Sequence, residues 1–126
     1  MNSIIYKEEI LEHYKDPQNF GKLKEFSHVS KLTNPLCGDD IEMYLKIENS
    51  KVKEISFDGK GCAITIAAAS LLTEKVKDMT PTQLKQIEED DVLALLGIPI
   101  SQTRKKCAFL PLVALKDSLD SKINDD

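Results

Sequence analysis

Three cysteines, Cys37, Cys62 and Cys107, carry the most distinctive chemistry in this 126-residue chain. A thiolate is both a nucleophile and a soft metal ligand. Each cysteine stands where the backbone is expected to turn. Cys37 lies in Asn34-Pro35-Leu36-Cys37-Gly38-Asp39, a turn between strands, and Asp39 follows across a flexible glycine. A thiolate and a carboxylate so spaced can approach one ion together. Cys62 follows Gly59-Lys60-Gly61 at a helix start, and Cys107 sits at another, behind Arg104-Lys105-Lys106. A helix N-terminus carries about half a positive charge, and with cations nearby it lowers a thiol pKa. Lysines at a helix start oppose the same dipole, a local conflict that points to a use beyond folding.

The odd number of cysteines argues against a disulfide framework and for reduced thiols. There is no Cys-x-x-Cys pair, so the zinc-ribbon pattern is absent. The plain alternative is that each cysteine is a small buried hydrophobe. Their placement beside glycines and cations, outside any apolar stripe, weighs toward at least two being reactive or metal-binding. The two histidines read differently. His13 lies on a helix beside Tyr14 and reads as structural, and His28 has no ligand-like neighbour in sequence. Glu88 to Asp91 reads as a solvated loop and helix cap.

The elements that must position these groups follow from periodicity. Tyr6, Ile10, Leu11 and Tyr14 mark one face of a first helix, which Pro17 stops. Gln18 to Lys31 reads as loop, and Val29 to Asn34 carries a weak strand pattern. Ile41, Met43, Leu45 and Ile47 alternate with polar residues, and Val52 to Phe57 forms a second strand across the Asn49-Ser50 turn. Gly59-Lys60-Gly61 should break that strand. Ile64, Ala67, Ala68, Leu71, Leu72 and Val76 then predict a helix with one buried face. Thr80-Pro81-Thr82-Gln83 is a capping box with proline in first helical position, and Val92 to Leu96 predicts a short helix closed by Gly97. Ala108, Leu112, Leu115, Leu119 and Ile123 mark a last helix. It either begins near Ala108, with Pro111 tolerated in the first turn, or begins near Gln102 and kinks at Pro111. Ser118 to Asp126 is expected to fray. Strands early and helices late give an α+β class, with residues 1–126 as a single domain.

Composition bounds the function. Hydrophobic residues are 41% and charged residues 30%, which suits a globular chain and not a disordered one. No apolar run is long enough to span a membrane. The net charge of −4 lacks the basic footprint of a nucleic-acid binder. The charged start, without an apolar signal core, leads to an expected cytoplasmic location.

The motifs around the cysteines, Asn34-Pro35-Leu36-Cys37-Gly38-Asp39, Gly59-Lys60-Gly61-Cys62-Ala63-Ile64 and Lys106-Cys107, resemble those of the IscU/NifU-like iron–sulfur cluster assembly scaffolds. His13-Tyr14-Lys15-Asp16-Pro17-Gln18-Asn19-Phe20-Gly21 is similar to that family's first-helix end, and the likeness runs from about Tyr6 to Leu119. It implies an α+β sandwich: a small, mostly antiparallel three-stranded sheet with helices on one face. It also implies a site of Cys37, Asp39, Cys62 and Cys107 that binds a transient [2Fe–2S] cluster or Zn²⁺. The implied partners are a cysteine desulfurase that donates persulfide sulfur and the acceptor proteins that receive the cluster.

Two departures refine the resemblance. Lys106 stands where the IscU branch has a histidine, and a protonated lysine has no lone pair for a metal. The Lys-Cys pair is more similar to the SufU branch of zinc-dependent sulfurtransferases, though the chain lacks that branch's insertion between the second and third cysteines. The SufU likeness implies Cys37 as persulfide acceptor and the IscU likeness implies Cys107. Ile100-Ser101-Gln102-Thr103-Arg104 replaces the Leu-Pro-Pro-Val-Lys chaperone segment of IscU, so a dedicated Hsp70-type chaperone is not expected to dock. The leading expectation is a scaffold and not a turnover enzyme; the alternative is a sulfurtransferase.

Overall fold

A computed structural model describes residues 3–34 and 38–121, with side chains from residue 7 onward. Three strands, β1 (His28–Asn34), β2 (Asp39–Glu48) and β3 (Lys51–Lys60), form one antiparallel sheet in the order β1-β2-β3. Asn49 and Ser50 both take positive φ, 53° and 63°, the twist that a two-residue hairpin turn needs to return β3 along β2. The register sets Met43 opposite Phe57 and Leu45 opposite Ile55. These residues and Ile41 are buried, so the alternation read from sequence is the core face of the sheet. At the other end, Asn34 pairs with Asp39, and Gly38 at φ 71° donates its N–H to the Asn34 carbonyl at 2.9 Å. Asn34 and Asp39 thus stand side by side where β1 gives way to β2. Cys37 lies in the segment 35–37, outside the described residues.

The weak strand pattern at Val29 to Asn34 corresponds to β1, which begins at His28 and so takes the end of the segment expected to be loop. The β3 strand also outlasts its expected break and runs through Gly59 to Lys60. Gly59 lies opposite Ile41 at φ 132°, and a Cβ there would stand 2.0 Å from the Asp40 carbonyl oxygen. The glycine permits a close crossing of two backbones and does not end the strand.

The helices are α1 (Ser3–Lys15), α2 (Ala63–Lys75), α3 (Pro81–Lys85), α4 (Glu89–Leu96) and α5 (Lys105–Ser118). Helix α5 lies against β1 and β2, α2 lies against β3, and α2 also meets α1, α4 and α5. Ser30 ties β1 to α5 by donating to the Ala114 carbonyl at 2.6 Å. The expected buried stripe on α2 is only part of what is buried: Ile64 and Leu71 are half-buried, whereas Thr65, Ile66, Ala69 and Ser70 are enclosed. A helix packed on several sides needs small residues all round, and the Ala67-Ala68-Ala69-Ser70 run supplies them. The outer face of the sheet is polar, with Lys46 within 4 Å of Glu25, Glu48 and Glu54, and Glu42 paired with Lys22.

Two helix readings need correction. On α1, Ile10 is buried but Leu11 and Tyr14 are exposed, and the Tyr6 side chain lies outside the described residues. The contact with α2 is narrower than the apolar spacing suggested. It is reinforced by His13 Nδ1, 2.6 Å from Ser70 Oγ, and by the Gln18 N–H donating to the same oxygen at 2.8 Å. At the C-terminus the longer of the two alternatives, from about Gln102, is the nearer one. A 3-10 turn spans Gln102–Arg104, and α5 begins at Lys105 and runs through Pro111. Cys107 is thus in the first turn, and Ala108, Leu112 and Leu115 are buried as expected. Ser118 is also buried, with its hydroxyl donating to the Leu115 carbonyl at 2.6 Å, so the expected fraying does not start there; residues 122–126, Ile123 among them, lie outside the described residues. The Thr80–Gln83 capping box and the left-handed Gly97 after α4 are as expected. Asp91 accepts the Glu88 N–H at 2.8 Å, which makes the acidic run the cap of α4.

Gly59→Ala is expected to lower stability by about 3 kcal/mol, because backbone strain adds to the clash with Asp40. Gly21→Ala, at φ 117° with no atom within 4 Å, is expected to cost less. Urea unfolding midpoints check the order.

Candidate metal centre

Three chain segments converge on one point: the start of β2, the start of α2 and the first turn of α5. Asp39 opens β2 and is 1% exposed. Cys62 is the N-cap of α2, held extended at φ −71° and ψ 171°. Cys107 lies in the first turn of α5 and is also 1% exposed. One carboxylate oxygen of Asp39 and the Sγ atoms of Cys62 and Cys107 all lie within 4.8 Å of one another.

The local sequence explains the arrangement. An N-cap side chain normally accepts a helix N–H through oxygen, and sulfur is a weak acceptor. Cys62 makes no such cap, and Asp39 attaches there from the neighbouring strand. Its Oδ1 accepts the Cys62 N–H at 3.1 Å and its Oδ2 accepts the Thr65 hydroxyl at 2.9 Å. Thr65 is fully buried, and its oxygen also lies 3.5 Å from Cys62 Sγ.

Burial pushes the Cys62 thiol up. Hydrogen bonds from the Thr65 hydroxyl, the backbone N–H groups of Thr65 and Ile64, and Cys107 outweigh it, so the thiol lies below the ordinary range. The helix-start effect expected for cysteines thus operates at Cys62. Arg104 and Lys106, the cations expected to act beside Cys107, are exposed.

The donor set suits a thiophilic cation. Ligand atoms around one tetrahedral zinc stand about 3.5–3.8 Å apart. Three donors already within 4.8 Å need only small closing movements. Two sulfurs and one carboxylate oxygen match zinc or iron better than calcium or magnesium.

Asp39, Cys62 and Cys107 are therefore brought together, and Cys37 is two residues from Asp39 in sequence but outside the described residues. Neither histidine belongs to the group: His13 bonds Ser70, and His28 Nδ1 lies 2.7 Å from Ser27 Oγ. Thr65 is the residue that sequence reasoning missed, and Gly61, read there as part of a strand break, lies against Asp39 and Thr65. Thr65 occupies the third helical position after the Cys62 N-cap, where a capping box places its reciprocal group, and that offset was the available signal.

Residues 5–121 match the family described as NifU-like N terminal domain. The chain is 38% identical over 132 residues to the iron–sulfur cluster assembly scaffold protein IscU of Thermotoga maritima, spanning 92% of this chain and 93% of that one. It is 33% identical over 129 residues to the zinc-dependent sulfurtransferase SufU of Bacillus subtilis, spanning 89% and 87% respectively. A SufU crystal structure from Fervidobacterium islandicum superposes with a TM-score of 0.78 at 24% identity, over 94% of this chain and 99% of that one; this likeness carries the fold.

In the metal-free protein, alkylation by iodoacetamide should show a thiol titrating below the range of an ordinary cysteine. Cys62→Ser should remove that phase. Its survival in the serine variant would contradict the assignment.

Proposed function

The chain belongs to the NifU-like N-terminal domain family, and from that membership we propose that it is a scaffold for iron–sulfur cluster assembly. The observation that carries this reading is the meeting of Asp39, Cys62 and Cys107 donor atoms within 4.8 Å. Cys37, two residues before Asp39 in the sequence, is the proposed fourth ligand. Iron and sulfide are substrates here and the finished [2Fe–2S] cluster is cargo. Sulfur arrives from a cysteine desulfurase and the cluster leaves to acceptor proteins.

The residues divide this work by their chemistry. The three thiolates supply soft ligands that suit iron–sulfur clusters. The Asp39 carboxylate is a harder ligand, so a cluster held by three sulfurs and one oxygen leaves more readily than one held by four thiolates. Sulfur capture needs a thiolate to attack the outer sulfur of a donor persulfide. The new S–S bond forms as the old one breaks, and the donor leaves as a thiolate. Of the two candidate acceptors, Cys107 is enclosed at 1% exposure, which supports Cys37 in that role. Lys106 is exposed and offers no lone pair, so it stays outside the ligand set.

A second reading is a zinc-dependent sulfurtransferase. Lys106 before the third cysteine and the 33% identity to SufU support it. Zn²⁺ held by Asp39 and the thiols would keep those thiols deprotonated.

Anaerobic reconstitution with iron and sulfide, followed by visible absorption, tests the scaffold reading. The wild-type chain is expected to develop the [2Fe–2S] spectrum, and Cys37→Ser, Cys62→Ser and Cys107→Ser are each expected to lose most of it. An unchanged spectrum in all three variants would reject the ligand set. A chain that takes up no cluster, yet stimulates a desulfurase only when about one zinc per chain is bound, would replace the scaffold with the sulfurtransferase.

A further inference from the structure

We propose that Thr65 is a positioning residue of this site, fixing the Asp39 carboxylate so that its remaining lone pairs are available to a cation beside the thiols. The inference rests on the ligand set of the preceding section and adds a residue to it. The carboxylate is held at two points, by the Cys62 N–H on Oδ1 at 3.1 Å and the Thr65 hydroxyl on Oδ2 at 2.9 Å. One donor on each oxygen fixes the orientation of the carboxylate plane, whereas a single donor leaves it free to rotate. The two donors lie together at the start of α2, one on its N-cap Cys62 and one in its first turn. The carboxylate and one thiol are therefore positioned by the same rigid element.

A second observation is independent of the hydrogen bonds. A Cβ placed on Gly61 would stand 2.9 Å from Asp39 Oδ1 and 3.1 Å from Thr65 Cβ. Gly61 is not among the positive-φ residues, so its backbone does not require glycine. The missing side chain leaves room for the Asp39–Thr65 contact.

The proton inventory keeps this hold intact when a metal is bound. Thr65 has one hydroxyl proton, and its oxygen lies close to both Asp39 Oδ2 and Cys62 Sγ. In the metal-free protein that one proton is drawn by both acceptors, the Asp39 carboxylate and the Cys62 sulfur. With the Cys62 sulfur bound to a cation, its lone pairs are engaged there and the threonine proton stays with the carboxylate. Residues that orient a metal ligand in this way typically contribute 10–100-fold to affinity.

The test is zinc affinity of the anaerobic chain, measured by competition with a chromophoric chelator, alongside the urea midpoint of the metal-free form. Thr65→Val is expected to weaken zinc binding at least about tenfold, and Thr65→Ser, which keeps the hydroxyl, to bind within about threefold of wild type. Gly61→Ala, which crowds Asp39 but retains the hydroxyl, is expected to weaken zinc as well. Wild-type affinity in Thr65→Val, or an equal loss in Thr65→Ser, overturns the proposal while leaving the ligand set standing. If Thr65→Val does not fold, Gly61→Ala and Thr65→Ser decide: unchanged affinity in the first or a tenfold loss in the second overturns it. A wild-type chain that takes no zinc removes the ligand set itself, and this inference with it.

Discussion

The hydrogen-bonded carboxylate of Asp39 is the constraint on which the rest of the site depends. A carboxylate 1% exposed is costly to bury unless its oxygens are satisfied. Here both are, by donors from the start of a helix distant in sequence. Hydrogen bonds to a charged group contribute about 1.5–3 kcal/mol each. The same pair of bonds joins the beginning of β2 to the beginning of α2 and sets Asp39 beside Cys62. Cys107 arrives from a third direction because α5 lies across β1 and β2.

That geometry makes folding and metal chemistry share one set of atoms. Cysteine is a poor helix cap, and its use at the start of α2 forgoes the stabilisation of a serine or aspartate. Asp39 and Thr65 form a cap-like link there, and the sulfur of Cys62 stays directed toward the other donors. The donors from Thr65 and Cys107 draw the Cys62 thiol below the ordinary range against the opposing effect of burial. Under the proposed ligand set, three sulfurs and one oxygen would suit a metal held for transfer better than one held permanently.

Much of this was legible in the sequence. Strict alternation from Ile41 to Ile47 and the Asn49-Ser50 pair specify the hairpin. The capping box at Thr80 and the glycine after Leu96 fix α3 and α4 because cap chemistry is local. Other features depend on tertiary contacts. Whether Gly59 ends a strand or permits a close crossing is decided by Asp40 on the neighbouring strand. Leu11 and Tyr14 share a helix with buried Ile10 yet remain exposed, since the width of the α1–α2 contact is set by packing. The cysteines and Asp39 were visible as residue types near turns; Thr65 offered only its offset from Cys62, and a buried threonine in an apolar helix resembles core until its partner is placed.

The central claim is that this site closes around a cation with three sulfurs and one carboxylate oxygen. X-ray absorption at the zinc edge of the zinc-loaded, anaerobically purified chain tests it most directly. The expected first shell is three sulfur neighbours at about 2.3 Å and one oxygen at about 2.0 Å, with Asp39→Ala replacing that oxygen by solvent and lowering affinity. A shell of nitrogen and oxygen without sulfur would contradict the account.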